Sequence, residues 1–161
     1  MLNLNNKYEE VGVLNMEKFT ELHQRFWQTL DNGQRAEIRR ASTPEDLECL
    51  PAFYHLIGYY NPRETKQLAR VAFFLPFAEK NNEEAKPLGK QLNEAKISEK
   101  RIFQVVRSTS PNDLVQLRRV IQQAKLKSLN WETFGKSLFY WGNVSKKQLV
   151  QSFFIKTKDE E

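Results

Sequence analysis

The chain has 161 residues, with 25 Lys and Arg against 20 Asp and Glu, a formal net charge of +5 and a pI near 9.3. That length suits one domain or two small lobes sharing a core, and 40% hydrophobic residues are enough to fill it. Cys49 is the sole cysteine, no run of roughly 18 apolar residues occurs, and the N-terminus lacks a cationic and then apolar pattern. No internal disulfide framework, membrane span or signal peptide is therefore expected, and a cytoplasmic location fits.

Residues 1–15 show no period and read as a loose arm. Met16 to Leu30 reads as a helix, because Phe19, Leu22, Phe26, Trp27 and Leu30 recur on one broad face. Asp31-Asn32-Gly33 stops it. His23 has no second metal-type ligand nearby and reads as a plain helix histidine. In the next helical stretch, Gly33 to Ala41, Arg35 and Arg39 share a face and Arg40 is adjacent. Thr43-Pro44-Glu45-Asp46 places a hydroxyl before a proline at the first helical position and an acid at the third, which starts a short helix ending at Leu50-Pro51. Pro51 to Ile57 reads as a buried aromatic turn of helix, with His55 structural. Asn61-Pro62 caps another helix, with Leu68, Val71, Ala72 and Leu75 facing inward. Arg63, Lys66 and Arg70 form a weaker basic stripe on its outer side, and an ordinary solvated face beside Glu64 explains them equally well.

Residues 77–89 are polar and mixed in charge, and form the best linker in the chain. This divides the chain into an N-terminal helical lobe over 16–78, a linker over 79–89 and a C-terminal helical lobe over 90–158, joined as one compact unit. Helical periodicity dominates and strand-like alternation is rare, so the expected fold class is all-α, a two-lobed helical bundle.

The excess charge is local. Residues 98–128 hold seven cations (Lys100, Arg101, Arg107, Arg118, Arg119, Lys125 and Lys127) against Glu99 and Asp113, a surplus equal to the net charge of the whole chain. Concentrated cations are the footprint of a polyanion-binding surface, although long cations also solvate ordinary exposed faces. The stretch reads as two helices. In the first, Ile102, Phe103, Val105 and Val106 are apolar and Lys100, Gln104 and Arg107 lie opposite. Ser110-Pro111 with Asp113 repeats the cap signature and opens the second. There Leu114, Leu117, Val120, Ile121 and Ala124 recur at helical spacing, with Arg118, Gln122 and Lys125 on another stripe and Arg119 beside it. Asn130 then caps a helix carrying Trp131, Phe134, Leu138 and Trp141 on one side. Gly142-Asn143 breaks it, and Ser145 is expected to cap a last helix with Leu149, Val150, Phe153 and Phe154 inward and Lys146 and Lys147 at its exposed start. The charged tail from Lys156 is expected to fray.

Catalytic patterns are missing. There is no phosphate-cradling glycine loop, no Cys/His metal spacing, no nucleophile elbow and no acid pair; Glu45, Asp46 and Glu48 sit where a helix N-terminus favours acids. The expectation is a non-enzyme without cofactor or metal. Zinc-finger, basic-zipper and aromatic RNA-binding strand marks are also absent, which points to backbone contacts that carry no sequence information.

Several segments in order carry a resemblance. They are Leu30-Asp31-Asn32-Gly33 running into Ala36-Glu37-Ile38-Arg39-Arg40-Ala41, Pro51-Ala52-Phe53-Tyr54-His55-Leu56, Arg101-Ile102-Phe103-Gln104, and Asp113 through Arg119, followed by Trp131 and Trp141-Gly142. Over roughly residues 19–157 the chain resembles the CasB family, small subunits of the type I-E CRISPR surveillance complex called Cascade. The resemblance implies an all-α, two-lobed, non-catalytic subunit. It implies contact with the backbone and large subunits, with a second copy of the same chain, and with crRNA, target DNA and the displaced strand. The family's basic residues fall on Arg39, Arg40, Arg63, Arg101, Arg107, Arg118 and Arg119, with Lys146 and Lys147 near a basic site at the start of the last helix. The short, mixed-charge linker departs from the pattern, so a contact through a longer basic loop does not carry over. The first 15 residues look like an extension. An alternative from the residues alone is a protein-interaction adaptor whose arginines pair with acids on a neighbour.

Overall fold

The computed structural model describes residues 17–58 and 60–156. The arm expected over 1–15, and the tail beyond Lys156, lie outside them. In order, the helices are α1 (Lys18–Gln28), α2 (Asn32–Arg39), α3 (Pro51–Ile57), α4 (Thr65–Ala72), α5 (Leu88–Glu94), α6 (Glu99–Arg107), α7 (Asn112–Ala124), α8 (Trp131–Phe139) and α9 (Asn143–Phe154). Three 3-10 turns, Pro44–Cys49, Pro62–Glu64 and Leu75–Phe77, join the early helices. The strands β1 (Lys80–Asn81) and β2 (Ser128–Leu129) pair in parallel, so the expected all-α class holds with one two-residue exception.

The local signals explain most of the boundaries. Asp31 and Gln34 form a reciprocal capping box at the start of α2, and Thr43 with Asp46 forms another at Pro44. Asn61 and Asn130 cap the turn at Pro62 and α8 through their side-chain oxygens. Two expected caps are absent. α7 begins at Asn112 behind Pro111 with no side-chain cap, and α9 begins at Asn143 behind Gly142. Ser145 lies inside α9 and donates to the Ser137 carbonyl at 3.1 Å. Nor does α1 cap itself. Its free backbone N–H groups at Phe19 and Thr20 donate to the Glu132 carboxylate of α8, at 3.0 and 3.1 Å. An acid at a helix N-terminus also opposes the positive end of the helix dipole.

One hydrophobic cluster draws on residues before and after the 79–89 segment. α1 and α4 lie against α8, α5 runs along α9, and α6 runs along α7. Two glycines permit the closest approaches. A Cβ on Gly135 would lie 2.4 Å from the Phe19 Cβ, where α8 meets α1. One on Gly89 would lie 2.5 Å from the Leu149 carbonyl oxygen and 2.6 Å from the Phe153 nitrogen, where α5 meets α9. The segment read as a linker therefore ends in a packed helix. Along α9, Leu149 and Phe153 are buried as expected, but Phe154 is 38% exposed. In α3, Phe53 is buried while Tyr54 and His55 face solvent; His55 contributes its backbone carbonyl, which accepts from Arg25.

His23 is buried within the core. Its ring stacks on Trp131 at 5.1 Å, and its Nε2 lies 3.1 Å from the Ala78 carbonyl, which also accepts the Trp131 indole N–H. A carbonyl only accepts, so Nε2 carries the proton. Burial holds the imidazole below its ordinary value, against the opposing pull of the Ala78 carbonyl and Glu79. Because the folded-state value is depressed, the unfolded chain takes up the proton first as pH falls. The stabilisation is complete above about pH 6.5 and is lost below it, at up to about 1.4 kcal/mol per pH unit. Melting temperature followed from pH 7.5 to 5.5 should drop below pH 6.5, and His23→Gln should flatten that step.

Candidate nucleic-acid interface

The charge-rich segment folds as an antiparallel hairpin. α6 and α7 both have one apolar stripe, so each buries that stripe and turns its cations outward. Ile102 and Val105 of α6, and Leu114, Leu117, Val120 and Ile121 of α7, are buried. Arg101, at the start of α6, donates to Gln123 near the end of α7, which fixes the two helices head to tail. Gln123 follows Arg119 by one helical turn, so Arg101 and Arg119 border the same face. Both are exposed, as are Lys100 and Arg107. The Arg107 guanidinium lies over the Phe103 ring, 4.9 Å from its centroid.

Arg118 points elsewhere. It donates to the Ala41 carbonyl at 2.6 Å, and its guanidinium lies 3.9 Å from the Phe73 centroid and 5.5 Å from that of Phe77. Burial lowers its pKa, and the neighbouring Arg119 charge adds to that effect. Arg118 is therefore a bracket between α7 and the end of α2, with its guanidinium turned onto the Ala41 carbonyl and the Phe73 ring. Arg39 also lies over Phe77, with its guanidinium 5.1 Å from the ring centroid. Arg40 follows at the α2 terminus, next to the Ala41 carbonyl that Arg118 holds, and both Arg39 and Arg40 are exposed. So Arg39 and Arg118, far apart in sequence, converge on Phe77, with Arg40 and Arg119 next to them in the chain.

The remaining candidates divide. The Lys146 ammonium is turned inward. It pairs with the Asp113 carboxylate at 3.1 Å and donates to the Ser108 carbonyl at 2.9 Å. Asp113 also accepts the Trp141 indole N–H at 3.0 Å. The expectation of an exposed Lys146 is corrected by this pair, and only Lys147 is open to solvent. Arg63 is exposed in the Pro62–Glu64 turn, beside the Lys18–Glu64 ion pair rather than on the hairpin. The stripe expected over Arg63, Lys66 and Arg70 is interrupted, because Arg70 donates to the Phe139 carbonyl at 3.3 Å.

What sequence reading missed is the aromatic bed under the arginines. Phe73 has no distinguishing mark in the sequence, and Phe77 opens the segment read as a linker, so nothing local marks either as a guanidinium partner. Among the described residues there is no group of three or more His, Cys, Asp or Glu placed to hold a metal ion. No helix among them is long and apolar enough to cross a membrane. The arrangement can grip anions: guanidinium forks suit phosphate oxygens, and Arg39, Arg40, Arg107 and Arg119 are exposed to offer them.

The chain is 38% identical over 146 residues to "CRISPR system Cascade subunit CasB" of Escherichia coli strain K12, covering 83% of this chain and 91% of that protein. Its backbone matches a chain in the crystal structure of E. coli Cascade bound to a PAM-containing dsDNA target, with a TM-score of 0.75 and 36% identity over 86% of this chain and 97% of that one. The family model described as CRISPR-associated protein Cse2 matches residues 34–154. The chain belongs to the CRISPR-associated Cse2 family.

Proposed function

We propose that this chain is a non-catalytic small subunit of a type I-E Cascade complex, working in the cytoplasm, that holds nucleic-acid backbone without reading sequence. Its partners are the other Cascade subunits, a second copy of itself, crRNA and target DNA. The relative in E. coli is named a Cascade subunit, and the matched solved structure is Cascade on a dsDNA target. The feature that supports the reading is the set of exposed cations on the α6–α7 hairpin, Arg101, Arg107 and Arg119, together with Arg39 and Arg40, exposed at the end of α2. Lys147 extends it at the start of α9. Arg118 and Lys146 support this surface from beneath, and Arg63 lies apart from it.

The mechanism follows from energetics. Exchanging a DNA duplex for an RNA–DNA hybrid is nearly balanced, so modest contacts to the hybrid or to the displaced strand tip it toward the open R-loop. Each neutralised phosphate releases counterions, which makes the contribution weaken with salt. Arg107→Ala combined with Arg119→Ala should leave the melting temperature unchanged, because both side chains are exposed. In an assembled complex the same pair should lower R-loop yield and make the log–log salt slope shallower by about 1.5. Unchanged yield and slope would refute the assignment. Loss of assembly instead would favour the adaptor reading, with these arginines paired to acids on a neighbouring subunit.

A further inference from the structure

We propose that the seam between α6 and α9 is a base-stacking platform for single-stranded nucleic acid, with Phe103 and Phe154 as its aromatic step. This deepens the backbone-binding reading above and rests on it. The two helices run head to tail: Lys146 of α9 holds the Ser108 carbonyl at one end, and Phe154 meets Phe103 at the other, with ring centroids 5.9 Å apart. Phe154 is 38% exposed and the following Ile155 is 62% exposed, although both are apolar. Phe103 is half-buried beneath the exposed Arg107 guanidinium. On α9, Lys147, Gln151 and Phe154 share one open face, so a second cation stands about 10 Å along the axis from the ring.

The charge around this step selects the occupant. Residues 100–112 and 133–156 contain no Asp or Glu, so Glu99, one turn before Phe103, is the single acid on the two helices facing the seam, against the exposed cations Lys100, Arg101, Arg107 and Lys147. An apolar step for a protein partner needs no such bias. One exposed ring, Phe154, backed by the half-buried Phe103 and set among cations, matches what an unpaired strand presents, which is a phosphate chain for the cations and a base face for the ring. Duplex DNA keeps its bases stacked and cannot use the ring.

The test separates the ring from the charge. The full-length chain is titrated against a labelled oligo-dT and against a duplex of the same length, over a range of salt. Phe103→Leu with Phe154→Leu keeps apolar volume and removes the rings. We expect about tenfold weaker oligo-dT binding, within what one stacked base contributes, with an unchanged salt slope and unchanged duplex binding. Phe154→Tyr, which keeps a stacking face, should restore affinity and guards against a packing artefact. Arg107→Ala should instead make the slope shallower. If the leucine pair binds oligo-dT as the unaltered chain does, or weakens both ligands equally, the platform is wrong while the charge reading stands. If the unaltered chain shows no salt-dependent binding to either ligand, both readings fail.

Discussion

Gly89→Ala should cost the fold about 3 kcal/mol, the upper end of what overpacking a core usually costs. The added methyl would lie 2.1 Å from the Ser152 Oγ, 2.5 Å from the Leu149 carbonyl oxygen and 2.6 Å from the Phe153 nitrogen. A serine hydroxyl can rotate away, but two of these atoms are backbone inside α9, and a helix does not give locally without breaking its hydrogen bonds. The helices must therefore separate, which opens the contact over Leu92 and Phe153, both buried. For a chain of this size that loss corresponds to a drop in melting temperature of roughly 10 °C. Gly135→Ala should cost less, about 2 kcal/mol, because its obstacle is the Phe19 side chain, which can tilt. A Gly89→Ala melting temperature within about 2 °C of the parent would contradict the packing of α5 on α9.

Asp113→Ala should be comparably damaging, at about 3–5 kcal/mol by urea unfolding, since it strands a buried cation. The Asp113 side chain is 4% exposed and that of Lys146 is 16% exposed. Without the carboxylate, the ammonium keeps only the Ser108 carbonyl, and the Trp141 indole N–H loses its acceptor. Asp113→Leu combined with Lys146→Met should recover most of the loss, because replacing both members of a buried pair avoids the uncompensated charge. Trp141 also reports the change locally, as a shift in tryptophan emission. If Asp113→Ala alone costs under about 1 kcal/mol, the pair behaves like a surface contact and the inward placement of Lys146 fails.

These two sites also mark where the sequence stopped being informative. Periodicity placed α1, α7 and α8, and their apolar faces are the buried ones: Phe19, Leu22 and Phe26, then Leu114, Leu117, Val120 and Ile121, then Trp131, Phe134 and Leu138. Thr43 with Asp46, and Asn130, capped as read, because their partners lie within three residues. Ser110-Pro111 with Asp113 carries the same local signature and does something different. Trp141 and Lys146, distant in sequence, take its carboxylate for a buried pair. Arg118 and Arg119 are likewise indistinguishable as letters. Only the tertiary approach of Ala41, Phe73 and Phe77 turns one inward and leaves the other on the surface. The concentration of charge in 98–128 was legible; which guanidinium tips remain free was not, since that depends on neighbours no spacing rule can supply.

The Glu132 carboxylate that closes the start of α1 has a consequence for how the protein is made. Synthesis delivers α1 first and its cap more than a hundred residues later. Until then the ribosome holds a nascent helix with an open end and an aromatic face, Phe19 and Phe26, that has no α8 to rest on. Stalled or truncated chains ending before Trp131 should thus be chaperone clients and protease substrates, whereas release of the complete chain lets its first and eighth helices close together late.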